Sequence, residues 1–85
     1  MFLENKIINK VAQRVVEMAV FDGEVPKSLD FDEIHDECLH IEINGEKAED
    51  NDILYRIILS IINDENVIKE INNKIEYLYE NGIVL

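Results

Sequence analysis

Residues 51–63 read NDILYRIILSIIN. Ile53, Leu54, Tyr55, Ile57, Ile58, Leu59, Ile61 and Ile62 are apolar, and only Arg56 and Ser60 interrupt them. Asn51 or Asp52 supplies a helix-capping side chain at the start. The run is long for a strand and far too short to cross a bilayer. It therefore predicts a helix over 51–63 that is apolar nearly all round and must be covered on most of its sides. What the rest of the chain offers as cover decides the fold.

Two neighbours at helical spacing answer that demand. Asp64 is a second N-cap, and Ile68, Ile71, Ile75 and Leu78 recur at 3, 4, 3 spacing through 65–81 until Gly82 ends the run. Residues 3–21, LENKIINKVAQRVVEMAVF, place Ile8, Val11, Val15, Met18 and Ala19 on a stripe widened by Ile7, Val16 and Val20. Lys6, Lys10 and Arg14 recur every four residues on another face, a short basic ridge. Asp22-Gly23 stops this helix. The expected fold is mainly α in a single domain over residues 1–85, with three long helices at about 3–21, 51–63 and 65–81.

Residues 22–52 form an acidic insert between them. Pro26 breaks the chain. Asp30-Phe31-Asp32-Glu33 then has the spacing of a capping box, which predicts a short helix from about Asp30. Leu39, Ile41 and Ile43 alternate with His40 and Glu42, and Asn44-Gly45 follows. A brief strand or extended segment ending at Asn44-Gly45 is expected. The alternative is a hairpin near 39–48, since Asn-Gly is a strong turn signal although the return limb EKAED is a poor strand former.

Charge is concentrated in the same segment. The chain carries a net −11. Residues 22–52 hold twelve carboxylates and two lysines, a net −10, and the remainder is nearly neutral. The densest stretch is DFDEIHDE at 30–37. Such a balance excludes simple electrostatic binding to nucleic acid or to an anionic membrane. A basic protein surface is its natural complement, and the usual owner of such a surface binds nucleic acid. Asp30, Asp32, Glu33, Asp36 and Glu37 are the expected partner-binding anchors, with Glu46, Glu49, Asp50 and Asp52 as a second patch. The competing reading is that the acid only keeps a sticky helical core soluble.

The chain offers little for chemistry. His35, Cys38 and His40 fall within six positions, but neither a helix nor a strand brings all three to one face, so a metal-binding sensor is the weaker alternative. From Asp30 or from Asp22 the calcium-loop pattern fails at its glycine position. Ser28 and Ser60 are the only serines, there is no threonine, and Gly23, Gly45 and Gly82 stand alone, so no phosphate loop exists. A carboxylate field around Cys38 raises its pKa rather than activating it. No enzyme, no cofactor and no metal is expected.

Cys38 is a lone cysteine, which suits a reducing compartment. The N-terminal residues lack a basic region leading into an apolar run, and a cytoplasmic location is expected. Fourteen Ile and nine Asn against three Ala point to an AT-rich genome. Residues 18–25, MAVFDGEV, are similar to a helix-ending segment of tellurite-resistance TerB-like helical proteins, but the likeness spans eight residues and nothing is carried over from it. In composition the chain resembles phage-encoded inhibitors of host or defence proteins, including nucleic-acid mimics. The leading expectation is a small acidic inhibitor or modulator that docks on a basic partner. The alternative from another class is a homodimer or accessory subunit that binds through the Ile-rich helix, with Ile83-Val84-Leu85 and Tyr77 or Tyr79 enlarging its apolar surface. The insert, through Phe31, Ile34 and Leu39, is the other candidate to cover that side.

Overall fold

The computed structural model describes residues 2–82, and the expected apolar tail Ile83-Val84-Leu85 lies outside them. Four α-helices and one small hairpin follow in the order α1 (Phe2–Phe21), α2 (Phe31–Cys38), β1 (Glu42–Ile43), β2 (Glu46–Lys47), α3 (Asp52–Ile62) and α4 (Glu65–Asn81). A single turn of 3-10 helix, Ala48–Asp50, joins the hairpin to α3. The fold is mainly α with a short strand insert, as the periodicities predict. No helix of the described residues is long and apolar enough to cross a membrane.

Local chemistry sets the helix ends. Gly23 takes φ 73° after α1, and two bonds close the end: Gly23 N–H donates to Val20 O and Glu24 N–H to Ala19 O. That pair is a Schellman motif, which needs a left-handed residue where Gly23 stands. Asp30 and Glu33 form the expected capping box of α2. Asp30 Oδ1 accepts from Glu33 N–H at 2.9 Å, and Glu33 Oε1 accepts from Asp30 N–H at 3.2 Å. Asn51 caps α3 through Leu54 N–H, and Asp64 caps α4 through Asn66 N–H.

Residues 39–48 take the hairpin alternative. Leu39 and His40 finish the α2 turn, so the alternation that starts at Leu39 overstates the strand. Pairing runs from Glu42 opposite Lys47 to Ile43 opposite Glu46. Asn44 and Gly45 both have positive φ, 54° and 82°, as the tightest hairpin turn requires. The weak return limb suffices because it contributes only two strand residues before Ala48 enters the core.

One core holds the chain. Ile7, Ile8, Val11, Ala12 and Val16 of α1 pack with Val67, Ile71, Ile75 and Leu78 of α4, and α3 adds Leu54, Ile58 and Ile62. The insert completes it with Ile34, Cys38, Ile41, Ile43 and Ala48 buried, and Phe31 and Leu39 packed alongside. The insert therefore packs on α3, although Ile53 and Ile57 remain exposed at 73% and 41%. The predicted stripe of α1 needs correction at its end: Met18 and Val20 face outward and Ala12 faces inward. The helix outlasts the core there, so its apolar period continues past the surface it can bury.

A tie invisible in the sequence fixes the loop before α2. Asn72 on α4 accepts from Leu29 N–H at 2.8 Å and donates to Leu29 O at 3.0 Å, a side-chain amide standing in for a neighbouring strand. Replacing Asn72 by Leu keeps the volume but leaves a part-buried peptide unit unpaired. Stability to urea is expected to fall by about 1–2 kcal/mol, with faster amide exchange at Leu29. An unchanged midpoint with unchanged exchange counts against the tie.

Candidate protein-docking surface

The acid of the insert sits outside because its apolar positions are taken by the core. On α2, Ile34 and Cys38 point inward at i, i+4 spacing, which turns Asp32, Glu33 and Asp36 to solvent. The nine expected anchors do not behave alike. Asp30 and Glu33 spend their carboxylates on the capping box. Glu37 accepts from Arg14 Nε at 2.8 Å, in a half-buried ion pair between α2 and α1. Glu46 accepts from Asn51 Nδ2. Asp52 lies 3.1 Å from Arg56 Nε, one turn on, with both side chains well exposed. Asp36 meets only His35 Nδ1, at 3.5 Å. Asp32, Glu49 and Asp50 are exposed with no ion pair or side-chain hydrogen bond among the described residues.

The basic ridge of α1 faces this insert, which spacing alone did not reveal. Arg14 holds Glu37. Lys10 shares a shallow cleft with His40, Ile41 and Glu42. Lys6 Nζ donates to Asn44 Oδ1 at 3.4 Å. The insert thus runs antiparallel to α1, meeting the ridge at Arg14 first and at Lys6 last. The structure divides the carboxylates into some that build the scaffold and others presented by it.

Two other groupings were candidates for chemistry. His35 Nε2 lies 2.8 Å from Tyr55 Oη on α3, with the two rings edge to face at 5.6 Å, so the imidazole ties α2 to α3. Cys38 is buried and His40 is exposed beside α1. Among the described residues no three His, Cys, Asp or Glu side chains converge on a point where a metal could sit. Burial, reinforced by Glu37, pushes the Cys38 thiol from 9.0 up to about 12, the reverse of an activated nucleophile.

Between the last turns of α1 and the outer face of α2 lies a groove of about 260 Å³. Val15, Met18 and Leu29 form its floor, and Glu33, Asp36 and Glu37 form its wall. Phe21 lies one turn beyond Met18 and is 91% exposed. It stands seven residues from Arg14, hence on the side of α1 that faces α2. Sequence reasoning counted Met18 as core, which hid this surface.

Comparison with known proteins yields no match: no family model, no curated protein and no solved structure resembles the chain.

Two measurements test these assignments. A double-mutant cycle on Arg14→Met and Glu37→Gln is expected to give a coupling of about 0.5–1 kcal/mol, at the upper end for a partly exposed pair. A coupling indistinguishable from zero removes the pair from the scaffold. Cys38 adds a pH dependence of defined sign. The folded state keeps the thiol protonated to about 12, while the unfolded chain ionises above the ordinary 9.0. Stability is therefore lost as pH climbs through that window, by roughly 1.4 kcal/mol per pH unit. Denaturation curves of Cys38→Ala are expected to lack that component of the slope. Equal slopes in both proteins contradict the assignment.

Proposed function

We propose that this chain is a small non-enzymatic interaction protein that docks its anionic surface on a basic, nucleic-acid-binding partner and inhibits or modulates it in the cytoplasm. One observation carries the reading. Asp32, Asp36, Glu49 and Asp50 are exposed carboxylates held on a capped helix and a short helical turn, while Arg14 and Arg56 are engaged by Glu37 and Asp52. Solubility requires charge but not charge fixed on short elements tied into the core. Carboxylates so placed can stand where phosphates would on a basic surface, giving steering and partner choice. The composition of the chain supports a phage or mobile-element inhibitor of this kind, a mimic of nucleic acid rather than a binder of it.

A second reading rests on Ile53 and Ile57, whose exposure on α3 is large for isoleucine. There the chain is a homodimer or an accessory subunit that binds through α3. The two readings differ in salt response, because apolar docking does not weaken as ions are added.

The test is retention of partners from a low-GC bacterial lysate, with identification by mass spectrometry. Wild type runs beside a variant carrying Asp32→Asn, Asp36→Asn, Glu49→Gln and Asp50→Asn. These changes spare Asp30, Glu33 and Glu37, so the scaffold is kept. A nucleic-acid-binding protein is expected on wild type, reduced about tenfold on the variant and at about 500 mM salt. Equal retention by both proteins at both salt levels overturns the acidic reading and moves the function to Ile53 and Ile57.

A further inference from the structure

The acidic reading leaves open where on the insert a partner sits and what the contacting segment looks like. The nine expected anchors fall into two regions: the 46–52 turn, and α2 with its cap. Only the second adjoins exposed apolar side chains that form a groove. Val15, Met18 and Leu29 floor it and Glu33, Asp36 and Glu37 wall it. Phe21, one helical turn beyond Met18, is almost fully exposed.

We infer that this α1–α2 groove is the docking site for a cationic amphipathic helix of a partner protein, which lays an apolar side chain on Met18 and a Lys or Arg against Asp36, the wall carboxylate left over by the capping box and the Arg14 pair. The inference rests on the proposed acidic docking function and specifies its site. Three observations on the groove favour that occupant. Its walls are anionic and its floor apolar, so the complementary surface has apolar residues on one stripe and basic residues beside it, the pattern of an amphipathic basic helix. A volume of about 260 Å³ takes one large side chain rather than a folded edge. The methionine in its lining is unbranched and polarizable and adapts to differing apolar side chains.

Charge removes the other occupants. A second copy brings another −11 to an acidic wall, and its only basic ridge, on α1, is turned to its own insert. Nucleic acid and anionic lipid are repelled in the same way. An uncharged apolar helix gains the floor but leaves Asp36 unanswered.

The probe is a synthetic amphipathic helix of leucine and lysine, with a leucine–glutamate peptide of the same pattern as control. Binding is followed by amide chemical shifts of the full chain and by anisotropy of the labelled peptide. Shifts are expected at Val15, Met18, Phe21, Leu29, Glu33 and Asp36. Met18→Gln, at a half-exposed position where folding is not at stake, is expected to weaken binding about tenfold, the loss of one apolar contact. Glu65→Gln with Glu70→Gln, exposed on α4 and outside the insert, is expected to change it less than about twofold, since only weak long-range attraction is removed.

Several results overturn the groove. Shifts centred on 46–52, or equal affinity of Met18→Gln, place cationic docking elsewhere and leave the broader acidic function standing. No binding of the lysine peptide at low salt, when a lysate partner is retained through the carboxylates, has the same meaning. Equal binding of the glutamate peptide removes the role of the acidic wall. Sedimentation showing a wild-type dimer that Met18→Gln dissociates makes a second copy the occupant instead. A lysate in which both proteins retain the same partners, as described above, fails the parent reading and not the groove alone.

Discussion

The whole structure depends on the insert completing the core. Helices α1, α3 and α4 bring an apolar surface larger than they can bury among themselves, because α3 is apolar on most of its circumference. In a chain of 85 residues no fourth long helix is available. The missing cover comes from Ile34, Cys38, Ile41, Ile43 and Ala48, all buried, with Phe31 and Leu39 beside them. These residues alternate with the carboxylates along the most acidic part of the chain. Burying one set forces the other outward, since helix and strand periods place them on opposite faces. The anionic surface is therefore a consequence of packing as much as of composition.

Holding so much negative charge against the body needs an answer from α1. Lys6, Lys10 and Arg14 repeat every four residues and form one row, and the insert runs back along that row from Glu37 to Asn44. The arrangement neutralises little of the net charge, because three basic side chains face an insert of net −10. Its effect is orientation. Arg14 draws the end of α2 to α1, the Asn72 amide holds Leu29 before α2 begins, and His35 ties its outer turn to Tyr55 on α3. A helix of eight residues cannot persist alone in water. With its start and its flanks held from three elements, it becomes a fixed platform for Asp32 and Asp36.

Much of this was legible from local chemistry. The helices, the capping box at Asp30, the caps near Asn51 and Asp64, and the stops at Gly23 and Gly82 rest on contacts within a few residues, so spacing reveals them. The hairpin was legible only as an alternative, since the Asn44-Gly45 turn is explicit but the return limb has poor strand formers. Long-range choices were not legible. The Arg14–Glu37 pair spans 23 residues and the Leu29–Asn72 tie spans 43, and nothing in the composition selects those partners from many equivalents. The anchors show the same limit. Asp30 and Glu33 were read both as a capping box and as docking groups, and Glu37 looked as free as Asp32. Only three-dimensional neighbours separate a carboxylate that holds the scaffold from one that faces outward.

The apolar period of α1 gives the last step. A helix of 20 residues spans about 30 Å, longer than the core it packs on, so its final turns run past their cover. There Met18 and Phe21 lose partners that Ile7 and Val11 keep. In a neutral protein such an end would invite self-association. Here Met18 stands beside Glu33, Asp36 and Glu37 in a molecule of net −11, a field that disfavours a like-charged neighbour. The same field favours a cationic one. On the proposed docking function, long-range charge would govern which molecules arrive and a short-range apolar floor how long they stay. An acidic patch alone would bind basic proteins with little discrimination, and an apolar groove alone would aggregate. Their juxtaposition at the end of α1 answers both problems, and the 46–52 turn, lined by polar side chains, has no such apolar floor.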